Sequence, residues 1–161
     1  MKIILFRFEK ELINFLECNI TDKGLFIDKK EKVSLEFAKT RGQKYQQILN
    51  ELNQIKRNYD FNSFAYQSPQ KYKGAIKDEE SFANTAILHL FCEQHNIDLL
   101  ELTPPIVRDK LALQNKDLKG LLEYEKKTLS ENHSITKSDK LIDGLALLSL
   151  VKDLLLSNSF R

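Results

Sequence analysis

The chain has 161 residues, 42% of them hydrophobic and 30% charged, with a formal net charge of +2. This balance is typical of a globular domain and excludes a disordered chain. No apolar run approaches the roughly 18 residues that cross a bilayer, and charges at Arg7 and Glu9 come too early for a signal peptide. We therefore expect one domain over residues 1–161, in the cytoplasm and without membrane contact.

The opening of the chain predicts three antiparallel strands. Residues 2–8 are rich in β-formers, and a second apolar run extends from Leu12 to Ile20. The sequence TDKG at 21–24 separates that run from a third short strand at 25–27. It is typical of a hairpin loop, because Gly24 can adopt a positive φ angle.

Helices and strands alternate in the middle of the chain. Apolar residues recur at three- and four-residue spacings across 35–59, which predicts a helix that begins near Gly42. The patterns that follow predict a strand at 61–67 and a polar loop at 70–80. They then predict a helix at 81–96 and a strand at 97–102.

Two or three further helices fill the remainder, and the last is expected from about Ser138 to Leu156. This order predicts an α/β domain with a mixed five-stranded sheet flanked by helices. The first three strands should be antiparallel, and the fourth and fifth parallel. The order is that of the ribonuclease-H-like plan, although order alone leaves several α/β folds open.

The two cysteines, Cys18 and Cys92, lie in apolar segments and lack the spacing of zinc ligands. We expect both to be buried free thiols.

Three segments resemble the RuvC family of Holliday-junction resolvases, within the ribonuclease-H-like superfamily. They are FAYQSP (64–69) after a basic amphipathic helix, SFANTAILHLFCEQHNIDLLELTPPIVRDKL (81–111) and SDKLIDGLALLSLV (138–151). The most specific phrases are ELTPP before a basic helix and IDGLALL near the end. The resemblance covers about residues 1–153 and implies a ribonuclease-H-like fold. It also implies a homodimer, since a Holliday junction has two-fold symmetry.

The resemblance implies four positions for a metal-binding carboxylate cluster. Resolvases of this family use two divalent cations, which carboxylates hold and neutralise. The first-strand position falls on Arg7, the fourth-strand position on Gln67, and the final-helix pair on Lys140 and Asp143. Asp143 alone keeps its carboxylate. Asp139, one turn earlier on the same predicted helix face, is a candidate substitute.

These replacements predict a catalytically degenerate RuvC-like protein that needs no cofactor and binds branched or duplex DNA in recombination or repair. An arginine repels Mg²⁺, and an amide brings no charge to hold it. One alternative is an active Mg²⁺- or Mn²⁺-dependent Holliday-junction endonuclease with a rearranged carboxylate site, comprising Glu9, Glu101, Asp139 and Asp143. Another is a non-enzymatic protein-interaction module.

A basic stretch between residues 39 and 77 is the predicted DNA-binding surface. Lysine contacts to phosphates give affinity without sequence choice, and Tyr72 between two lysines suits stacking on an unpaired base. Scattered lysines also describe an ordinary solvated surface. The predicted contacts are Lys39, Arg41, Lys44, Lys71, Tyr72, Lys73 and Lys77.

Overall fold

A computed structural model describes residues 1–68, 79–133, 135–136 and 139–160, together with the backbone of 71–72 and 75–76. The elements in chain order are β1 Lys2–Phe8, β2 Leu12–Thr21, β3 Gly24–Ser34, α1 Arg41–Asn58, β4 Ser63–Gln67, β5 Lys71–Tyr72, β6 Ala75–Ile76, α2 Glu79–His95, β7 Leu99–Leu102, α3 Pro104–Lys110, α4 Asn115–Asn132, α5 Ile142–Leu150 and α6 Lys152–Leu156.

Five strands form the main sheet in the order β3-β2-β1-β4-β7. The first three strands pair antiparallel, β4 pairs parallel with β1, and β7 pairs parallel with β4. The predicted mixed α/β sheet is therefore confirmed. The short strands β5 and β6 pair only with each other, inside the segment that was predicted to be a polar loop.

The sheet is covered on both faces, which explains the unbroken apolar run of β1. Ile3 and Leu5 belong to a core shared with residues of α3, α4, α5 and α6. Ile4 and Phe6 belong to a second core that includes residues of α1 and α2. We call these two sides of the sheet the α5 face and the α1 face. No helix in the described residues is long and apolar enough to cross a membrane.

Strand β3 runs to Ser34, well beyond the predicted end at 27. Its second half, DKKEKVS, is polar, so local hydrophobicity does not reveal it. The strand is at the edge of the sheet, where pairing with β2 satisfies its backbone and lysines are well tolerated.

The prediction of one final helix from about 138 to 156 is wrong. Ser138 lies outside the described residues, α5 begins at Ile142, and Val151 leaves helical geometry before α6 begins. The described residues after β7 thus form four helices. The apolar pattern continues through the break because Leu148, Val151 and Leu155 are all buried in the same core.

Candidate functional site

The four positions of the expected carboxylate cluster meet at the carboxyl ends of β1 and β4. Phe6 pairs with Tyr66 in the parallel register, so the next residues, Arg7 and Gln67, are neighbours on the α5 face. Arg7 Nη1 donates to the backbone oxygen of Lys140 at 2.8 Å. Gln67 Oε1 accepts from the backbone N–H of Gly144 at 3.1 Å. We call this region, defined by Arg7, Glu9, Gln67, Lys140 and Asp143, the carboxyl-end site.

Two cations surround Glu9 in this site. Lys140 Nζ is 2.8 Å from Glu9 Oε2, and Arg7 Nε is 3.7 Å from Glu9 Oε1. The Glu9 side chain is only 19% exposed. Its carboxylate is therefore neutralised by protein cations that come from positions 7 and 140.

Asp143 has a cation partner that the sequence did not indicate. Its Oδ1 lies 2.6 Å from Lys126 Nζ, and the same ammonium is 3.2 Å from Glu123 Oε1. The hydrogen bond to Asp143 is the main reason that the pKa of Lys126 is raised. Lys126 belongs to α4, a helix without any recognised motif, so only the tertiary packing identifies it.

Asp139 does not share a helix face with Asp143, contrary to the expectation from their spacing. It precedes α5, and its Oδ1 accepts from the backbone N–H of Leu141 at 2.9 Å. Its carboxylate forms an ion pair with Lys30 of β3. Burial, with a contribution from the charge of Lys32, lowers the pKa of Lys30. The two aspartates thus bind different cations on different elements.

These residues do not fit a pair of divalent cations. Arg7 and Lys140 stand where the resemblance requires anions, and a fixed positive charge repels a metal ion. The nearby acids Glu9, Asp139 and Asp143 are already ion-paired with lysines. Among the residues that the structure describes, no group of three or more His, Cys, Asp or Glu side chains is arranged to hold a metal.

Glu101 is not brought together with Asp143. It pairs with Tyr66 in the sheet, and Tyr66 lies in the core of the α1 face. Leu100 and Leu102, which flank Glu101, point into the core of the α5 face. Glu101 therefore lies at the expected end of the sheet but on the opposite face. There, burial and then the charge of Glu101 raise the pKa of Tyr66.

The predicted DNA contacts fall into three groups. Lys39 and Arg41 are exposed at the start of α1. Lys44 is only 12% exposed, and its ammonium binds Glu80 and the backbone oxygen of Lys10, both at 3.0 Å. Backbone alone is described for Lys71 and Tyr72, while Lys73 and Lys77 lie outside the described residues.

Arg41 and Lys44 line a cavity of about 510 Å³ together with Lys10. The cavity lies on the α1 face, because α1 packs there. Glu79 and Glu80 also line it, and Glu80 forms ion pairs with both lysines. The local positive charge is therefore largely compensated, apart from Arg41.

A second cavity, of about 250 Å³, adjoins the carboxyl-end site at the carboxyl ends of the paired strands β4 and β7. We call it the β4–β7 cavity. It shares Gln67 and Asp143 with the carboxyl-end site and is lined by residues of five elements and their connections: Gln67, Ser68, Leu102, Thr103, Pro104, Leu122, Lys126, Asp143 and Leu147.

Comparison with known proteins reveals similarity in structure alone. No family profile and no curated protein matches the sequence. The structure of Thermus thermophilus RuvC in complex with a Holliday junction substrate matches with a TM-score of 0.71 and 10% identity, over 99% of this chain and 98% of that chain. A second structure of Thermus thermophilus RuvC matches with a TM-score of 0.69 and 9% identity, over the same shares.

The resemblance inferred from three short segments is thus confirmed at the level of fold. Along nearly its whole length, the chain has the ribonuclease-H-like fold of the RuvC resolvases.

Proposed function

We propose that this protein binds branched DNA through the carboxyl-end site, without divalent cations and without cleaving the DNA. The observation that carries the proposal is the triad of Arg7, Glu9 and Lys140, in which protein cations stand at positions that the resemblance assigns to metal-binding acids. In a metal-dependent nuclease, bound cations neutralise the phosphate under attack. Here the side chains of Arg7 and Lys140 themselves supply positive charge.

The positive charge extends along the α5 face. Arg7 pairs with Asn14, and Asn14 pairs with Lys32, so these three residues form a row across β1, β2 and β3. The Arg7 and Lys140 side chains are 30% and 62% exposed, and Lys32 is exposed at the sheet edge. Asn14 is buried and uncharged, so the candidate phosphate contacts are Arg7, Lys140 and Lys32. Phosphate contacts position DNA without reading its sequence.

The choice of branched DNA rests on the fold. Thermus thermophilus RuvC, which has this fold, was captured with a Holliday junction substrate. We propose the same class of DNA for this chain, in recombination or repair. We also propose a homodimer, because a four-way junction presents two equivalent faces.

Binding of a labelled four-way junction in EDTA, measured by fluorescence anisotropy across a salt series, tests the proposal. We expect saturable binding that weakens steeply with salt. Replacing both Arg7 and Lys140 with Gln should weaken binding about tenfold or more and flatten the salt dependence, since each phosphate contact contributes to that slope. Lys23→Gln is the matched control, because Lys23 lies in the turn at the other end of the sheet.

Two results would reject the proposal. One is the absence of junction binding at low salt. The other is cleavage of the junction in Mg²⁺ or Mn²⁺ that disappears in Asp143→Asn, which would instead establish the rearranged nuclease. Thermal unfolding of each variant shows whether the variant is folded.

A further inference from the structure

We infer that the β4–β7 cavity holds one unpaired base of the bound DNA; this inference rests on the proposed function. The cavity measures about 250 Å³, slightly below the roughly 300–1,000 Å³ of pockets for drug-sized ligands. A single planar ring system fits such a space, whereas a duplex or a folded peptide does not.

The walls of the cavity are apolar and come from different parts of the fold. Leu102 ends β7, Pro104 begins α3, Leu122 belongs to α4 and Leu147 to α5. Enzymes that extract a base from the helical stack bind its faces between aromatic or apolar side chains and its edge through hydrogen bonds. These four side chains can contact the faces of a base.

Polar groups in the same cavity can form hydrogen bonds with the edge of the base. Lys126 Nζ and Asp143 Oδ1 lie 2.6 Å apart, so a donor and an acceptor stand side by side. Every DNA base presents both a donor and an acceptor on its edge. Gln67 Oε1 is held by the backbone of Gly144, which leaves Nε2 as the donor of that amide.

The position of the cavity relative to the carboxyl-end site links the base to its phosphate. Gln67 lines the cavity and is the sheet neighbour of Arg7. A base inserted beside Gln67 therefore leaves its own backbone near the guanidinium of Arg7. Unstacking costs least for a base that is already unpaired, as at an imperfect branch point.

The substrate-side test compares two four-way junctions that differ in one group. Both carry one unpaired nucleotide at the branch point, which has a base in one junction and is abasic in the other. We expect the junction with the base to bind about five- to tenfold more tightly, at the lower end of measured stacking contributions. Equal affinity for the two junctions would overturn the inference while leaving the proposed function intact. If neither junction binds, the proposed function itself fails, and the inference fails with it.

The protein-side test fills the cavity. Leu122→Trp should abolish the difference in affinity between the two junctions. Leu121→Trp is the matched control, because Leu121 is the adjacent residue of α4, is exposed and does not line the cavity. A difference that survives in a folded Leu122→Trp protein would overturn the inference.

A third arm distinguishes a base of DNA from a free nucleotide. Titration of the protein alone with deoxyguanosine monophosphate should show binding far weaker than that of the junction with the base. Nucleotide binding as tight as that of the junction would assign the cavity to a free nucleotide and overturn the DNA base as its occupant.

Discussion

Gly144 allows α5 to approach the sheet closely. A Cβ atom at this position would lie 3.2 Å from Gln67 Oε1 and 3.4 Å from Leu5 Cδ2. The absence of a side chain therefore permits the hydrogen bond between the Gly144 backbone and Gln67, which joins α5 to β4. The residue positions the helix, and with it Asp143, over the carboxyl ends of the strands.

Gly144→Ala should lower the free energy of unfolding by about 1 kcal/mol. Overpacking in a core costs roughly 1–3 kcal/mol, while alanine gains about 1 kcal/mol of helix propensity over glycine. Urea unfolding measures the net change in the free energy of unfolding that these two opposing effects produce.

Gly120→Ala is the control for this substitution. Gly120 lies exposed in α4, and a Cβ there would meet nothing within 4 Å. The Gly120→Ala substitution should raise the free energy of unfolding by about 0.5–1 kcal/mol. If both variants were stabilised, the close approach at Gly144 would have no energetic consequence.

At the scale of elements, α1 begins with a side-chain cap. Thr40 Oγ1 accepts from the backbone N–H of Gln43 at 3.1 Å, which satisfies one of the unpaired donors of the first turn. The buried residues Ile48, Leu52 and Ile55 then attach the helix to the α1 face of the sheet. The cap determines where α1 begins, and hence where the exposed Arg41 stands.

Thr40→Ala should reduce stability by about 1 kcal/mol, the usual cost of a lost threonine cap. Thr40→Ser keeps the hydroxyl and should change stability by much less. Urea denaturation of the two variants separates loss of the cap from loss of the methyl group. Equal destabilisation by the two substitutions would show that the methyl group, rather than the hydrogen bond, matters.

At the scale of the whole molecule, the sheet separates two cores, and each contains one free thiol. Cys18 lies in the core of the α5 face and Cys92 in that of the α1 face, so both predicted buried thiols are confirmed. Burial raises the pKa of each thiol from 9.0 to about 12. Folding therefore keeps both cysteines protonated in a range where an unfolded chain would ionise them.

Stability should fall as pH rises between about 9 and 12. In that window the native thiols keep protons that the unfolded thiols lose, so the native state binds more protons and stability decreases with pH. Below pH 9 both states are protonated, and the contribution is fully present.

Urea unfolding of the parent at pH 8 and pH 9.5 should show this loss. A variant with Ala at both positions should show a smaller loss over the same interval, although its stability is lower throughout. The same pH dependence in both proteins would mean that other groups cause it.

Local pattern was sufficient for the order of the elements, because helical and strand periodicities depend on neighbours in the chain. It placed the β1–β3 meander, α1, α2 and the two parallel strands, whereas Arg7 and Gln67 were singled out only by the resemblance to the RuvC family. It did not indicate the polar half of β3 or the break at Val151, since pairing and packing, rather than local hydrophobicity, decide both.

The sequence by itself thus determined the fold class, and its resemblance to the RuvC family implied that three of the four expected acid positions carry Arg7, Gln67 and Lys140 instead. Only the tertiary structure decided that Lys140 pairs with Glu9, that Lys126 pairs with Asp143, and that Lys30 pairs with Asp139. Glu9 and Lys140 are 131 positions apart in the chain. An ion pair depends on distances in space, and those distances are set by how helices pack on the sheet rather than by the residues adjacent in sequence.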